Sequence, residues 1–149
     1  MERYGYGPLR AEDAAEAADI EQQLFSRPWT KQNFLESLQQ PDTIYLAAWE
    51  NESGVLAGYC GCYQALDEGN ITNVAVRPSM QRQGIARNLM LRMLQSGRQR
   101  GIQNFVLEVR ISNHSACSLY QSLGFQNVGV RKNFYTAPTE DAYIMVLQC

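Results

Sequence analysis

Residues 81–90 read QRQGIARNLM and follow a strand-like NVAVRP at residues 73–78. Ile85, Leu89 and Met93 recur every four positions, as do Ala86, Met90 and Leu94, so the stretch predicts a helix opening near Gln81. Its first turn carries Gln81, Arg82, Gln83 and Gly84 but no acid. The helix dipole favours Asp or Glu at that end, and the first amides of a helix have no partner within it. An external anion would meet both needs. A glycine there also removes the Cβ that would keep a phosphate off the backbone. Arg82, Gln83, Gly84, Ile85, Ala86 and Arg87 therefore form a candidate pyrophosphate cradle, with Arg82 and Arg87 adding charge. The alternative is a glycine that only eases a tight strand-to-helix turn. Neither the Walker pattern nor GxGxxG is present.

Charge is distributed in a way that suits an anionic ligand. Residues 1–68 hold 12 acids and 4 bases, whereas residues 69–149 hold 3 acids and 9 bases. No acid occurs between Gly69 and Leu107, a span containing six arginines. This favours an anion bound by the second half. The net charge of −2 and the lack of a dense basic-aromatic cluster argue against direct nucleic-acid binding.

Working outward, 149 residues with 45% hydrophobic content suit one domain spanning 1–149. No run of 18 apolar residues suggests a membrane span, and MERYGYGPLR lacks the layout of a signal peptide. A cytoplasmic protein with no membrane partner is expected. Cys60, Cys62, Cys117 and Cys149 are irregularly spaced, which favours reduced thiols over a disulfide framework. Cys60 and Cys62 would share a strand face, but without a CxxC or a second histidine no metal site is expected.

Periodicity predicts strands at 4–10, 43–50, 55–66, 70–77, 104–110, 125–131 and 142–147, and helices at 11–25, from Thr30, at 81–100 and at 113–123. Thr30 is a candidate cap, with Trp29 packing on Phe34 as a hydrophobic staple. Strands outnumber helices and cluster as hairpins. The class is α+β, with a mixed, mostly antiparallel sheet of six to seven strands and about four helices.

A second motif, NHSACSLYQSLGF at residues 113–125, follows the strand FVLEVR. Together with Gln81, Gly84 and Ala86, the residues Asn113, Ala116, Leu119, Tyr120, Leu123, Gly124 and Phe125 resemble the GNAT family of acetyl-CoA-dependent N-acetyltransferases. The likeness in element order covers nearly the whole chain. FVLEVR, the second motif, RKNFY, EDAYIM and SRPWT look most like the bacterial ribosomal-protein-alanine branch. Position 86 is often glycine in that family, and alanine is still small.

The resemblance implies acetyl-CoA as co-substrate, with its pyrophosphate taking the place of the missing acid. It implies that the main chain of Val74, Ala75 and Val76 lies along the pantetheine and turns an amide toward the thioester carbonyl. Such a donor stabilises the oxyanion of acyl transfer. Asn113 would hydrogen-bond the pantetheine arm, and it also reads as a helix N-cap. Glu108 is matched to a general base acting through water; on its residues alone it reads as an exposed or Arg-paired strand acid. Tyr120 is matched to the proton donor for the departing thiolate; on its residues alone it is a core tyrosine. His114, the sole histidine, has no placed nucleophile and is expected to be exposed at the helix start. The implied reaction is direct acetyl transfer to a protein N-terminal amine, the acceptor being the N-terminal alanine of a small-subunit ribosomal protein or a similar N-terminus. Two rivals share these motifs: acetylation of a lysine or small amine, and a non-catalytic acyl-CoA-binding module.

Overall fold

The computed structural model describes residues 2–149. The elements run β1 (Tyr4–Pro8), α1 (Ala14–Leu24), α2 (Lys31–Leu38), β2 (Thr43–Glu50), β3 (Leu56–Ala65), β4 (Glu68–Val76), α3 (Ile85–Gln99), β5 (Asn104–Arg110), α4 (His114–Ser122), β6 (Gln126–Tyr135) and β7 (Glu140–Gln148). The strands form one mixed sheet in the order β1-β2-β3-β4-β5-β7-β6. All neighbours pair antiparallel except β4 and β5. The expected class, with seven strands and four helices, is the observed one.

Alternation along the strands feeds two cores, one on each face of the sheet. On one face, Ile85, Leu89, Met90, Met93 and Leu94 of α3 and Tyr120 of α4 pack on Cys60, Cys62, Phe105, Leu107 and Val109. On the other, Ala14, Ala17 and Ile20 of α1 and Phe34 of α2 pack on Tyr45, Ala47, Tyr59 and Ala75. Each fully buried aliphatic side chain contributes about 1.5–3 kcal/mol of transfer free energy. Gly97 is required by packing, because a Cβ there would collide with the Phe105 ring. Thr30 caps α2 by accepting from Asn33 N–H at 3.1 Å, and Trp29 meets Phe34 edge-on at 5.1 Å between centroids, as expected of the staple.

Several boundaries depart from the sequence reading. Helix α3 begins at Ile85, not Gln81, because Arg82 (φ 65°) and Gly84 (φ 78°) are left-handed and a right-handed helix cannot run through them. Residues 11–13 form a 3₁₀ turn before α1. Strand β4 starts two residues early, at Glu68, because Leu66 adopts φ 55° and closes a tight hairpin. Strand β6 continues to Tyr135, with register shifts that carry it past the expected stop at Arg131.

Candidate active site

The sheet opens at its centre. Strands β4 and β5 pair through Glu68–Asn104, Gly69–Phe105 and Asn70–Val106. Beyond those pairs β4 continues to Val76 and β5 to Arg110, so their facing edges diverge. A bulge accounts for the divergence. Gly61 pairs with Asn73 and Cys62 with Ile71, which leaves Thr72 as an extra residue on β4. Bulges bend the strand that carries them. The resulting cleft of about 630 Å³ has Ile71, Thr72, Asn73 and Val74 on one wall and Leu107 to Arg110 on the other. That volume suits a small-molecule site.

The strand edge on the β4 side supplies donors. Arg77 N–H donates to Ala57 O of β3 at 2.7 Å. Alternation then turns the amides of Val74 and Val76 away from β3, toward the cleft, while that of Ala75 faces β3. Val74 and Val76 thus have backbone N–H groups free for a ligand lying along β4.

Glu108 and Tyr120 reach this cleft from opposite faces of the sheet. Leu107 and Val109 enter the α3/α4 core, so Glu108, with Val106 and Arg110, projects on the α1/α2 face. Its side chain is 23% exposed and lies 3.7 Å from Arg131 Nε. The Arg-paired acid of the plain strand reading is therefore present, but at a separation too long for a hydrogen bond. Tyr120 belongs to the α3/α4 core, is 7% exposed and lines the same cleft. Burial pushes its phenol well above the ordinary range.

The loop at 81–84 leads into an uncapped helix. The first intrahelical amide bond of α3 is Asn88 N–H to Gly84 O at 3.0 Å, and no side chain among the described residues caps the helix start. A Cβ on Gly84 would meet nothing nearer than Asn88 Nδ2 at 3.9 Å, so the space above the loop is open. By contrast, α2 and α4 are capped by Thr30 and Asn113. The uncapped amides of Ile85, Ala86 and Arg87, at the positive end of the dipole, could hold a pyrophosphate. Arg82 is exposed beside them, and Arg87 donates to Ser122 Oγ of α4 at 2.9 Å. The Ile85 side chain lies in the core. Gln83 turns its side chain away, accepting from Tyr4 Oη at 2.7 Å and Arg3 at 3.1 Å, and so ties the loop to β1. Gln81 anchors the loop from the other end by donating to Val76 O at 3.2 Å.

Asn113 caps α4 by accepting from Ala116 N–H at 3.2 Å, and it also lines the cleft. Its Nδ2 donors are left for a ligand, so the two readings of this residue are compatible. His114 is exposed at the first position of α4, as expected. Among the described residues no group of three or more His, Cys, Asp or Glu side chains could hold a metal ion. Cys60 and Cys62 do share the α3/α4 face, and both are free thiols.

Other cleft residues escaped the sequence reading. Asn73 is 9% exposed and its Oδ1 has no hydrogen-bond partner among the described residues. A buried unsatisfied acceptor costs about 1–3 kcal/mol. Glu21, 3% exposed, accepts from Tyr59 Oη and from Trp29 N–H at 2.9 Å, which ties the α1–α2 loop to the sheet. Its signal was an acid completing the apolar stripe of Ala17, Ile20 and Leu24. Arg110 donates to Glu140 Oε1 and to Pro138 O, each at 3.1 Å, and its guanidinium lies over the Tyr135 ring at 4.3 Å. These contacts fasten the β6–β7 loop beside the cleft.

The profile of the acetyltransferase (GNAT) family matches residues 14–125. The chain belongs to this family and is an N-acetyltransferase. A relative from Bacillus subtilis (strain 168) is 39% identical over 138 residues, covering 92% of this chain and 90% of its own length. The ribosomal protein bS18-alanine N-acetyltransferase of Escherichia coli (strain K12) is 36% identical over 141 residues, covering 93% of each chain. The crystal structure of the ribosomal-protein-alanine N-acetyltransferase from Escherichia coli superposes with a TM-score of 0.88 at 35% identity, covering 97% of this chain and 93% of that one.

Proposed function

We propose that the chain is one transferase domain that moves the acetyl group of acetyl-CoA onto the α-amine of a protein N-terminus. The acceptor is the N-terminal alanine of ribosomal protein bS18 or a similar N-terminus, which places the reaction in the cytoplasm. The observation that carries the chemistry is the split between β4 and β5, with Glu108 on one face and Tyr120 on the other. The choice of acceptor is supported by relatives of this length and identity that bear that activity in their names.

In this reading the uncapped start of α3 holds the pyrophosphate, with charge from Arg82 and Arg87. The pantetheine lies along the free amides of Val74 and Val76 and takes a hydrogen bond from Asn113. One of those amides meets the thioester oxygen and stabilises the negative charge that grows there. Glu108, through a water, takes the proton that the neutral acceptor amine sheds as the C–N bond forms. The nitrogen attacks the acyl carbon, the C–N bond forms and the C–S bond breaks. Tyr120 meets the departing sulfur from the α3/α4 side. Its raised pKa makes complete proton transfer to a thiolate of ordinary pKa about 8.5 unfavourable, so a strong hydrogen bond is its main contribution.

A protein α-amine has a pKa of about 7.7–8.0 and a lysine amine about 10.4, a gap worth roughly 3.4 kcal/mol of deprotonation. A lone carboxylate acting through water is better matched to the former. A peptide beginning with free alanine should therefore be acetylated at its terminus alone. The same peptide with a blocked terminus and an internal lysine should be nearly inert. Mass spectrometry showing similar rates at the two sites would replace this reading with lysine acetylation. No thiol release with any amine would reduce the protein to a binding module.

A further inference from the structure

Among the polar side chains of the cleft, Asn73 is the one whose buried oxygen has no partner among the described residues, and the chemistry above assigns it nothing. It follows the bulge residue Thr72. Its orientation can be read from its neighbours. Asn73 pairs with Gly61, where a Cβ would run into the Tyr45 ring, so the pair faces the α1/α2 side. Glu108 projects on that same side from the opposite wall of the cleft. Val74 packs against the α3/α4 core, as Tyr120 does, on the other side. The two walls therefore present an oxygen acceptor (Asn73) and a carboxylate (Glu108) to one approach path, and Tyr120 to the other.

We infer that Asn73 is a further residue of the acceptor site, its Oδ1 accepting a hydrogen bond from the attacking amine nitrogen. This rests on the N-acetyltransfer proposed above and on its assignment of Glu108. A neutral primary amine has two N–H bonds and one lone pair. With one N–H directed at Asn73 Oδ1 and the other at the water held by Glu108, the lone pair is left facing the acyl carbon between β4 and β5. When the C–N bond forms, the proton on the Glu108 side departs through that water, and the bond to Asn73 persists into the product amide. The bulge serves this arrangement, because it both opens the strand gap and turns an otherwise unpaired acceptor into it.

The test compares Asn73→Leu, of similar size but without the acceptor, with Asn73→Asp, which keeps an oxygen at that place. Steady-state kinetics are measured with an alanine-initiated peptide at pH 8, alongside thermal melts. Asn73→Leu should lower kcat/KM for the peptide by at least tenfold, leave KM for acetyl-CoA within twofold, and melt no lower than the parent, since an unsatisfied buried oxygen is lost. Asn73→Asp should recover most of the lost kcat/KM. Unchanged peptide kinetics in Asn73→Leu would overturn the assignment. So would a loss confined to the acetyl-CoA KM, which would move the oxygen to the pantetheine. Equal impairment of the two variants would show that Nδ2 is the working atom. Should the parent fail to acetylate the peptide, the N-terminal reading fails separately. The same comparison then runs on whichever amine is acetylated, because Asn73 is assigned to the nitrogen and not to the peptide.

Discussion

Asn70 of β4 and Val106 of β5 form the last pair before the two strands part. The residues assigned to the acyl transfer lie beyond that pair: Asn73, Val74, Val76 and Glu108 on the two diverging edges, and Tyr120 on the facing helix α4. The separation is held open from within the sheet, by the extra residue at Thr72 and the pairing of Gly61 with Asn73. A ligand entering the gap finds backbone donors on one wall and a carboxylate on the other, with no need for the sheet to unpair first.

Gly84→Ala should weaken CoA binding at least tenfold, about 1.4 kcal/mol, while the fold persists. The added methyl has space around it, but φ 78° disfavours a side chain, and the amides that follow would be re-aimed. Titration calorimetry on the folded variant checks this. Unchanged CoA affinity would remove the phosphate role from the loop.

Glu108→Gln should lower kcat by about 10² to 10⁴ while acetyl-CoA affinity is retained, because proton removal alone is lost. The Arg131 partner is itself half-exposed, so loss of the ion pair should change the melting temperature little. Turnover at the parent rate at neutral pH would leave Glu108 as a strand acid paired with Arg131.

Tyr120→Phe should lower kcat, and the deficit should shrink with an acyl donor whose thiol is a better leaving group. A hydrogen bond to sulfur matters most when the sulfur carries most charge. A deficit that is the same for all donors would show that Tyr120 acts by packing alone.

Stability should fall in alkali. Burial pushes the Cys62 thiol up to about 12 and raises that of Cys60 as well. Between the unfolded thiol value of about 8.5 and those raised values, the folded chain binds more protons than the unfolded one. Stability is therefore full below about pH 8.5 and declines as pH rises above it. At pH 10 the loss from Cys62 alone is about 2 kcal/mol. Tyr59 and Tyr120, also raised, add to the slope above about pH 10. Urea midpoints at pH 7.5 and pH 10 give the measurement. Cys62→Ala should show the smaller drop, and an equal drop would place the alkaline sensitivity elsewhere.

What could be read from the residues in order was whatever depends on near neighbours. The every-fourth-residue stripe from Ile85 to Leu94, the Thr30 cap, the Trp29–Phe34 staple and the alternation that set Glu108 beside Val106 and Arg110 are all local patterns. They persist because each rests on contacts a few positions apart. The uncapped, acid-free start of the α3 segment was legible for the same reason. Its true first residue was not, because the left-handed turns at Arg82 and Gly84 leave no periodic trace.

The tertiary structure decided the rest. The gap between β4 and β5 comes from a parallel pairing across more than 30 positions and from a bulge whose register is set by a third strand, β3. Neither writes a pattern into nearby residues, because pairing register is a property of strands and not of a strand. Asn73 became visible only through the same long-range geometry, and the acid at Glu21, which breaks into an apolar stripe, found its two donors only there. A buried oxygen without a partner, or a carboxylate between two donors, is defined by what surrounds it. The local sequence determined which elements form and which of their faces are apolar. Only the assembled sheet determined where Glu108, Tyr120 and Asn73 meet.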